Sequence, residues 1–150
     1  MSDFVSASNV YLDNPSSTVE EVMEFLSKQA VEQGVASDAD AVLEAFKARE
    51  AEGTTGMMGG FAIPHAKADC ISKAAVFVVK FSDSVEWASM DDEPIKCAIA
   101  LLIPAGQAAE HLTVLSKVAV MLMNEGFRQD VLASDDAAAI AGLINDGFDK

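Results

Sequence analysis

The chain has 150 residues and is 51% hydrophobic, a size and composition that fit one globular domain with its own buried core. Its 10 basic and 24 acidic residues give a net charge of −14, which argues against nucleic acid and anionic membranes as partners. The apolar runs are too short to span a bilayer, and no basic N-terminal segment marks a secretory signal. We therefore expect a cytoplasmic protein, a single domain over residues 1–150, without membrane insertion.

The first third of the chain predicts a short strand followed by two helices. Residues 9–13 are expected to form an edge strand. Ser17, followed three residues later by a glutamate, has the pattern of a helix capping box, and Gly34 is a typical helix end. A second helix is expected to begin at Ser37 and to run to about Glu52.

The middle of the chain is rich in strand-forming residues. Residues 61–63 are expected to end a strand, and the runs 74–81 and 95–103 are continuously apolar. Such runs are typical of strands that are covered on both faces of a sheet. Trp87 and Met90 flank an acidic turn between the two long runs, and both are expected to pack against the core.

The last third predicts three helices. A loop over residues 106–110 leads into a long helix, a short helix follows from about Gly126, and Ser134 begins the last one. Helices and strands therefore alternate along the chain, with helices near both ends. This order favours an α/β sandwich in which a mixed sheet carries helices on both faces.

The chain contains two histidines, His65 and His111, and these are the first candidates for chemistry. A neutral imidazole can attack phosphorus and can later leave again. His65 follows a proline that ends a strand and a glycine-rich stretch where the backbone can approach a ligand closely. The same glycines also fit a flexible connection, and a lone histidine is more often structural than catalytic.

Local charge adds a weaker indication around His65. Residues 47–73 contain four basic and three acidic residues, within a strongly acidic chain. Arg49 could donate paired hydrogen bonds to a phosphate if the fold brings it near His65, although a solvated charge on a helix surface is the commoner case. His111 is expected at the positive end of the long helix, where an anion is favoured; the alternative is a hydrogen-bonded histidine at the margin of the core.

The segment 55–65 reads TGMMGGFAIPH and resembles the signature of the mannitol/fructose-type IIA domains of the bacterial phosphoenolpyruvate-dependent sugar phosphotransferase system. Two further matches accompany it. Residues 47–50 (KARE) precede the signature, and 103–104 (IP) are followed by 110–112 (EHL). The resemblance extends from about residue 10 to residue 145, and the combination of AIPH with EHL is more specific than either motif alone.

The resemblance implies a fold as well as a function. Members of this family have a mixed sheet of five strands with helices on both sides, which agrees with the α/β sandwich expected from the pattern of elements. Met58 departs from the signature, because a glycine is usual at that position. If that position requires a positive φ, the loop in this chain must bend differently.

The resemblance also implies roles for three residues. His65 matches the histidine that accepts phosphate from phospho-HPr, His111 matches the histidine that supports the phosphorylated ring, and Arg49 matches the arginine beside the site. A IIB component would then receive the phosphoryl group and pass it to an incoming sugar, with a fructose- or galactitol-like sugar expected. Neither a metal nor another cofactor is expected in this phosphotransferase.

Two other classes of function remain open at this stage. One is a regulatory IIA-like protein of the nitrogen branch, which would act through phosphorylation-dependent protein binding. The other is an interaction module in which His65 is purely structural. A neighbouring gene for a IIB or membrane IIC protein would favour the carrier, and its absence would favour the regulator. Failure to accept phosphate from any HPr would favour the interaction module.

Overall fold

The computed structural model describes residues 5–107 and 111–148, and within them one sheet contains five strands. The strands are β1 (Val10–Asn14), β2 (Phe61–Ala62), β3 (His65–Ala68), β4 (Ala75–Val85) and β5 (Ile95–Pro104). The same residues form five α-helices: α1 (Val19–Glu32), α2 (Ala39–Ala51), α3 (Leu112–Leu122), α4 (Glu125–Ala133) and α5 (Ala137–Phe148). None of these helices is both long and apolar enough to cross a membrane.

The sheet is mixed, as the alternation of elements predicted. β4 and β5 are antiparallel at its centre, and β1 runs parallel to β4 at one edge. Along the other side of β5, β2 and β3 lie one after the other, both parallel to it. Phe61 is opposite Cys97, and His65 is opposite Leu101. The expected α/β architecture and the expected edge strand near residues 9–13 are therefore confirmed.

Strand β3 was not predicted, because the proline before it was taken as the end of strand structure. Pro64 has no N–H and interrupts the ladder between β2 and β3. Its carbonyl oxygen nevertheless accepts a hydrogen bond from the Leu101 N–H at 3.0 Å, which keeps the chain beside β5. The chain therefore re-enters the sheet at once, and His65 is the first residue of the new strand.

Two hydrophobic cores lie on opposite faces of the sheet. Along β4, Phe77 and Val79 point into the core that includes α1 and α2, whereas Val76 and Val78 point into the core that includes α3 and α5. This alternation follows from the two-residue period of a strand. All four side chains are buried, which confirms that the continuously apolar runs are covered on both faces.

The first two helices begin slightly later than predicted. Thr18 caps α1, since its hydroxyl accepts a hydrogen bond from the Glu21 N–H at 3.1 Å. Ser17 instead donates from both its N–H and its hydroxyl to the Glu21 carboxylate. Asp38, rather than Ser37, caps α2. Several adjacent polar residues can cap in each segment, and the helix face that must be buried selects among them.

The two side chains that flank the acidic turn have different environments. Trp87 is buried, as expected, but Met90 is 64% exposed, so its predicted packing role is wrong. Met90 lies in the turn itself, and its N–H donates to the carbonyl oxygen of Met57 at 3.2 Å. Its backbone is therefore held while its side chain projects into solvent.

The acidic charge should make the fold sensitive to salt. Within residues 5–107 and 111–148, one side-chain ion pair is formed, between Lys47 and Glu20 at 2.8 Å, so most of the acidic side chains there have no cationic partner to offset the repulsion between them. Raising KCl from about 0.01 M to about 1 M shortens the Debye length from roughly 30 Å to roughly 3 Å and weakens self-repulsion. We expect the thermal midpoint to rise with KCl, as followed by circular dichroism.

Repeating the salt series at a lower pH is the control for this effect. The isoelectric point is near 4.2, so the net charge is smaller at about pH 5 than at pH 7. The same increase in KCl concentration should therefore raise the thermal midpoint by less at the lower pH. An equal rise at both pH values would show that salt acts by a route other than screening of acidic repulsion.

Candidate active site

His65 is half-buried at the point where the chain rejoins the sheet. The two residues that lead into it are held by backbone hydrogen bonds. The Ile63 N–H donates to the Thr55 carbonyl oxygen at 3.0 Å, and the Leu101 N–H donates to the Pro64 carbonyl oxygen at 3.0 Å. These bonds place the histidine on a rigid element rather than on a free loop.

The two nitrogens of the His65 ring have different partners. Arg49 donates from Nε to His65 Nε2 at 2.9 Å, and His65 Nδ1 lies 2.9 Å from the Ile63 carbonyl oxygen. Because the guanidinium can only donate and a carbonyl oxygen can only accept, Nε2 must carry the lone pair and Nδ1 the proton. The contacts therefore select one tautomer, in which Nε2 is available as a nucleophile.

The environment of His65 also favours its neutral form. Burial lowers the pKa of the imidazole below its usual range, the hydrogen bond to Ile63 raises the pKa in part, and the Arg49 charge lowers it further. A lowered pKa means that the ring is neutral at neutral pH. The ring is then in the state required to attack an electrophilic phosphorus.

Arg49 reaches the ring from the last turn of α2. Besides its bond to the histidine, Arg49 donates from Nη1 to the Gly53 carbonyl oxygen at 2.8 Å. No other hydrogen bond joins this guanidinium to the described residues, so its remaining N–H groups are available for anionic oxygens. The fold thus brings Arg49 to His65. The sequence-based prediction that Arg49 could bind a phosphate beside the histidine required this proximity.

His111 occupies the N-cap position of α3, where its side chain makes no capping hydrogen bond, and it is partly exposed. Its Nε2 lies 3.1 Å from Gln107 Oε1, and no hydrogen bond joins it to His65 within the described part of the chain. With Val114 and parts of β4 and β5, including Leu101, His111 lines a cavity of about 150 Å³. Since Leu101 is also the sheet partner of His65, both histidines lie against the same end of β5.

Residues 108–110 lie outside the described residues, and Glu110 of the EHL motif is among them. The predicted position of His111 at the start of the long helix agrees with the structure. The core residues of α3 lie further along the helix, at Val118, Met121 and Leu122.

The glycine-rich loop is ordered by its own hydrogen bonds. The Met57 N–H donates to the Phe61 carbonyl oxygen at 2.8 Å, and the Gly59 N–H donates to the Asp91 carboxylate at 3.0 Å. Gly59 and Gly60 have positive φ angles of 69° and 86°, whereas Met58 does not. Methionine in place of the usual glycine therefore requires no left-handed backbone in this loop.

Gly56 allows the loop to approach the backbone beyond β4. A Cβ at this position would overlap the carbonyl oxygen of Ala88, which is backbone and cannot move aside like a flexible side chain. We expect Gly56→Ala to lower the free energy of unfolding by about 1–3 kcal/mol, measured by urea denaturation.

Gly142→Ala is the matched control for the Gly56 prediction. Gly142 lies within α5, and no atom would lie within 4 Å of an added Cβ. Alanine there should raise the free energy of unfolding by roughly 0.5–1 kcal/mol, because it is the better helix former. Equal effects of the two substitutions would show that close approach at Gly56 is not the cause.

Glu50 is a polar residue that the sequence did not single out. Its carboxylate accepts hydrogen bonds from both the N–H and the hydroxyl of Thr55, and from Nε1 of Trp87. The three residues belong to separate parts of the sequence, and no spacing rule connects them. The signal that could have drawn attention to Glu50 is its place in the KARE motif, directly after Arg49.

A groove of about 870 Å³ lies between α3, α4 and α5, away from the site described above. It is lined in part by Val120, Met121, Phe127 and Leu143. Neither His65 nor Arg49 contributes to it. The groove is therefore a separate feature of the helical face, and the polar contacts of His65 define the candidate site.

The sequence model of one family, described as phosphoenolpyruvate-dependent sugar phosphotransferase system, EIIA 2, matches residues 3–147. The chain belongs to this family. The predicted relationship to the type-2 EIIA domains is therefore confirmed, and EIIA components of this system are phosphotransfer proteins.

The relatives of this EIIA domain have different names. The fructose-specific EIIA component of Haloferax volcanii is 36% identical over 90% of this chain and 88% of its own length. Other relatives are much longer, and the chain spans 21% of the fructose-specific EIIABC component of Bacillus subtilis. Relatives specific for fructose thus occur both as chains of similar length and as larger proteins.

Solved structures agree with the fold. Nitrogen regulatory protein IIA-Ntr from Neisseria meningitidis superimposes with a TM-score of 0.88 at 25% identity, covering 94% of this chain and 96% of that one. The enzyme IIAMTL chain, solved in complex with phosphorylated enzyme IIBMTL from Escherichia coli, has a TM-score of 0.76 at 21% identity, with coverage of 93% and 96%. The second likeness is evidence for the fold alone.

Proposed function

We propose that this EIIA domain is a phosphocarrier that accepts a phosphoryl group on Nε2 of His65. The observation that carries the proposal is the pair of contacts on the imidazole, from Arg49 to Nε2 and from Nδ1 to the Ile63 carbonyl oxygen. Together with burial, these contacts leave a neutral ring whose lone pair is on Nε2. A nucleophilic imidazole requires this neutral tautomer, with its lone pair on Nε2.

The transfer step follows from the geometry. The Nε2 lone pair forms a bond to phosphorus while the bond between phosphorus and the donor breaks in line with it. Arg49 moves from Nε2 to the phosphoryl oxygens and offsets their charge. The ring becomes positively charged in the product, and the Nδ1–H bond to Ile63 strengthens as that charge develops. Reversal of these movements passes the group to an acceptor.

His111 is proposed to support the phosphorylated ring from the opposite side of the site. It stands at the N-terminus of α3, where backbone N–H groups and the helix dipole favour an anion. Its hydrogen bond to Gln107 holds the imidazole at the end of β5 against which His65 also lies. In this role His111 orients the phosphoryl group and does not itself become phosphorylated.

The proposed donor is phospho-HPr, and the proposed acceptor is a IIB component for a fructose-type sugar. The fructose-specific name of the Haloferax volcanii relative supports the sugar class, and the complex of IIAMTL with phosphorylated IIBMTL supports the type of acceptor. The net charge of −14 suits partners with positive surfaces, since opposite charges speed encounter. The proposed reaction uses no metal and no other cofactor.

A regulatory role is the second candidate, because the nitrogen regulatory IIA protein of Neisseria meningitidis has closely similar architecture over nearly the whole chain. Such a protein would keep the same phosphorylated histidine and act through binding of other proteins. The two candidates differ in what happens after phosphorylation and not in the site.

The test follows the phosphoryl group through both steps. Purified protein is incubated with phosphoenolpyruvate, enzyme I and HPr, and its intact mass is recorded before and after addition of a fructose IIB component. The carrier proposal predicts gain of one acid-labile phosphoryl group and then its loss to IIB. Gain without loss to IIB would favour the regulator, and no gain, with a competent IIA control in the same mixture, would overturn both.

A further inference from the structure

The carboxylate of Glu50 joins three separate parts of the chain near the site. Oε2 accepts from the Thr55 N–H at 2.9 Å and from Trp87 Nε1 at 3.1 Å, while Oε1 accepts from the Thr55 hydroxyl at 2.6 Å. Thr55 is only 5% exposed and Trp87 only 6%. Bonds from buried donors to an ionised carboxylate are strong and directional, so the end of α2, the glycine-rich loop and the segment after β4 are held together here.

Two further hydrogen bonds connect Thr55, and so the Glu50 carboxylate, to the imidazole of His65. The Thr55 carbonyl oxygen accepts from the Ile63 N–H at 3.0 Å, and the Ile63 carbonyl oxygen receives the Nδ1–H of His65 at 2.9 Å. On the other side of the ring, Arg49 directly precedes Glu50 in α2 and donates to Nε2. Both partners of the imidazole are therefore connected to Glu50, one through the helix and one through Thr55.

We propose that Glu50 is a positioning residue for phosphoryl transfer by His65. By holding Thr55, and through it Ile63, the carboxylate keeps the ring proton on Nδ1 and leaves the lone pair on Nε2 as the nucleophile. The inference rests on the function proposed for His65, but its structural part, control of the tautomer, can be tested in the unphosphorylated protein. Displacement of a reacting group by about 1 Å can cost about 100-fold in rate, so such a support matters for transfer.

Three substitutions separate positioning from charge and from general stability. Glu50→Ala removes all three acceptor contacts. Glu50→Gln removes the charge but can keep the contacts, because its amide oxygen accepts from Thr55 N–H and Trp87 while its amide nitrogen donates to the Thr55 hydroxyl oxygen. Glu52→Gln is the control: it removes a neighbouring carboxylate that makes no side-chain hydrogen bond to the described residues.

Two readouts are measured on the full chain. The ¹⁵N chemical shifts of the His65 ring, at a pH where the ring is neutral, report which nitrogen carries the proton. The initial rate of phosphoryl acceptance from phospho-HPr reports the consequence. We expect Glu50→Ala to produce a mixture of tautomers and a rate about 10- to 100-fold lower. Glu50→Gln should restore the Nδ1–H tautomer and most of the rate, and Glu52→Gln should behave as wild type.

Each other outcome overturns the proposal. A wild-type tautomer and rate in Glu50→Ala would show that Glu50 does not position the ring, and equal losses in the glutamine and alanine variants would assign its effect to charge. If Glu50→Ala does not fold, Glu50→Asp decides, because it keeps the charge but draws the carboxylate back by one methylene group from all three donors; an unchanged tautomer and rate would then contradict the proposal. If the wild type accepts no phosphoryl group, the proposed function fails, while the ring shifts still decide whether Glu50 controls the tautomer.

Discussion

Replacement of His65 by alanine should abolish phosphoryl acceptance, whereas replacement of His111 by alanine should leave measurable acceptance and impair onward transfer. The difference follows from the proposed roles, since only the lone pair on His65 Nε2 forms the bond to phosphorus. The measurement is intact mass after incubation with phosphoenolpyruvate, enzyme I and HPr, followed by addition of IIB.

Circular dichroism of both variants provides the control for folding. His65 is half-buried and contributes one side-chain bond to the backbone, so its loss should leave the sheet intact. Phosphorylation of the His65→Ala protein at the wild-type level would refute the assignment of the acceptor. Complete loss of acceptance in His111→Ala would instead place His111 in the first step.

Loss of the Arg49 side chain should have the second largest effect. We expect Arg49→Ala to accept the phosphoryl group about 100-fold more slowly, which is the usual cost of removing one donor to a transition-state oxyanion. Arg49→Lys should recover little, because an ammonium group cannot reproduce the planar set of donors that reaches both His65 and Gly53. Single-turnover acceptance from phospho-HPr measures both effects.

The Arg49 substitution should also move the dependence of acceptance on pH. The reaction needs the neutral ring, so its rate falls when the pH drops below the pKa of His65. Burial is the largest cause of the lowered pKa, and the charge of Arg49 lowers it further. Without that charge the pKa rises towards its usual range, and the fall in rate should begin at a higher pH than in the wild type.

Lys47→Ala is the control for the charge effect of Arg49. Lys47 lies on the same helix and carries the same charge, but its ammonium pairs with Glu20 at the surface. It should change neither the rate nor the pH profile. If Arg49→Ala does not shift the pH profile, or if Lys47→Ala shifts it by the same amount, Arg49 has no specific effect on the pKa of the ring.

Much of the fold follows from local pattern. The apolar runs in β4 and β5 predicted strands covered on both faces because a two-residue period with no polar positions leaves no face for water. The helices near both ends were predicted from caps and apolar spacing, with errors of one or two residues where neighbouring side chains could cap equally well. A single domain over residues 1–150 stays a prediction.

Local pattern failed where long-range pairing decided the outcome. Strand β3 was missed because a proline usually ends a strand, whereas pairing with β5 recovers the ladder immediately after Pro64. Met90 was expected to pack because it is apolar, but its place in a turn leaves its side chain in solvent. For β3 the deciding partner, β5, is distant in sequence, whereas for Met90 the local turn outweighs the apolar character of the side chain.

For the site, the sequence by itself determined the candidates: two histidines, an arginine in a recognisable motif, and a glycine-rich stretch before Pro64. Only the tertiary structure decided how they act together. Packing of α2 beside β3 brings the Arg49 guanidinium to His65 Nε2, and the Ile63 carbonyl oxygen takes the other nitrogen. A tautomer depends on the directions of specific donors and acceptors around a ring, and those directions exist only once separate elements have packed.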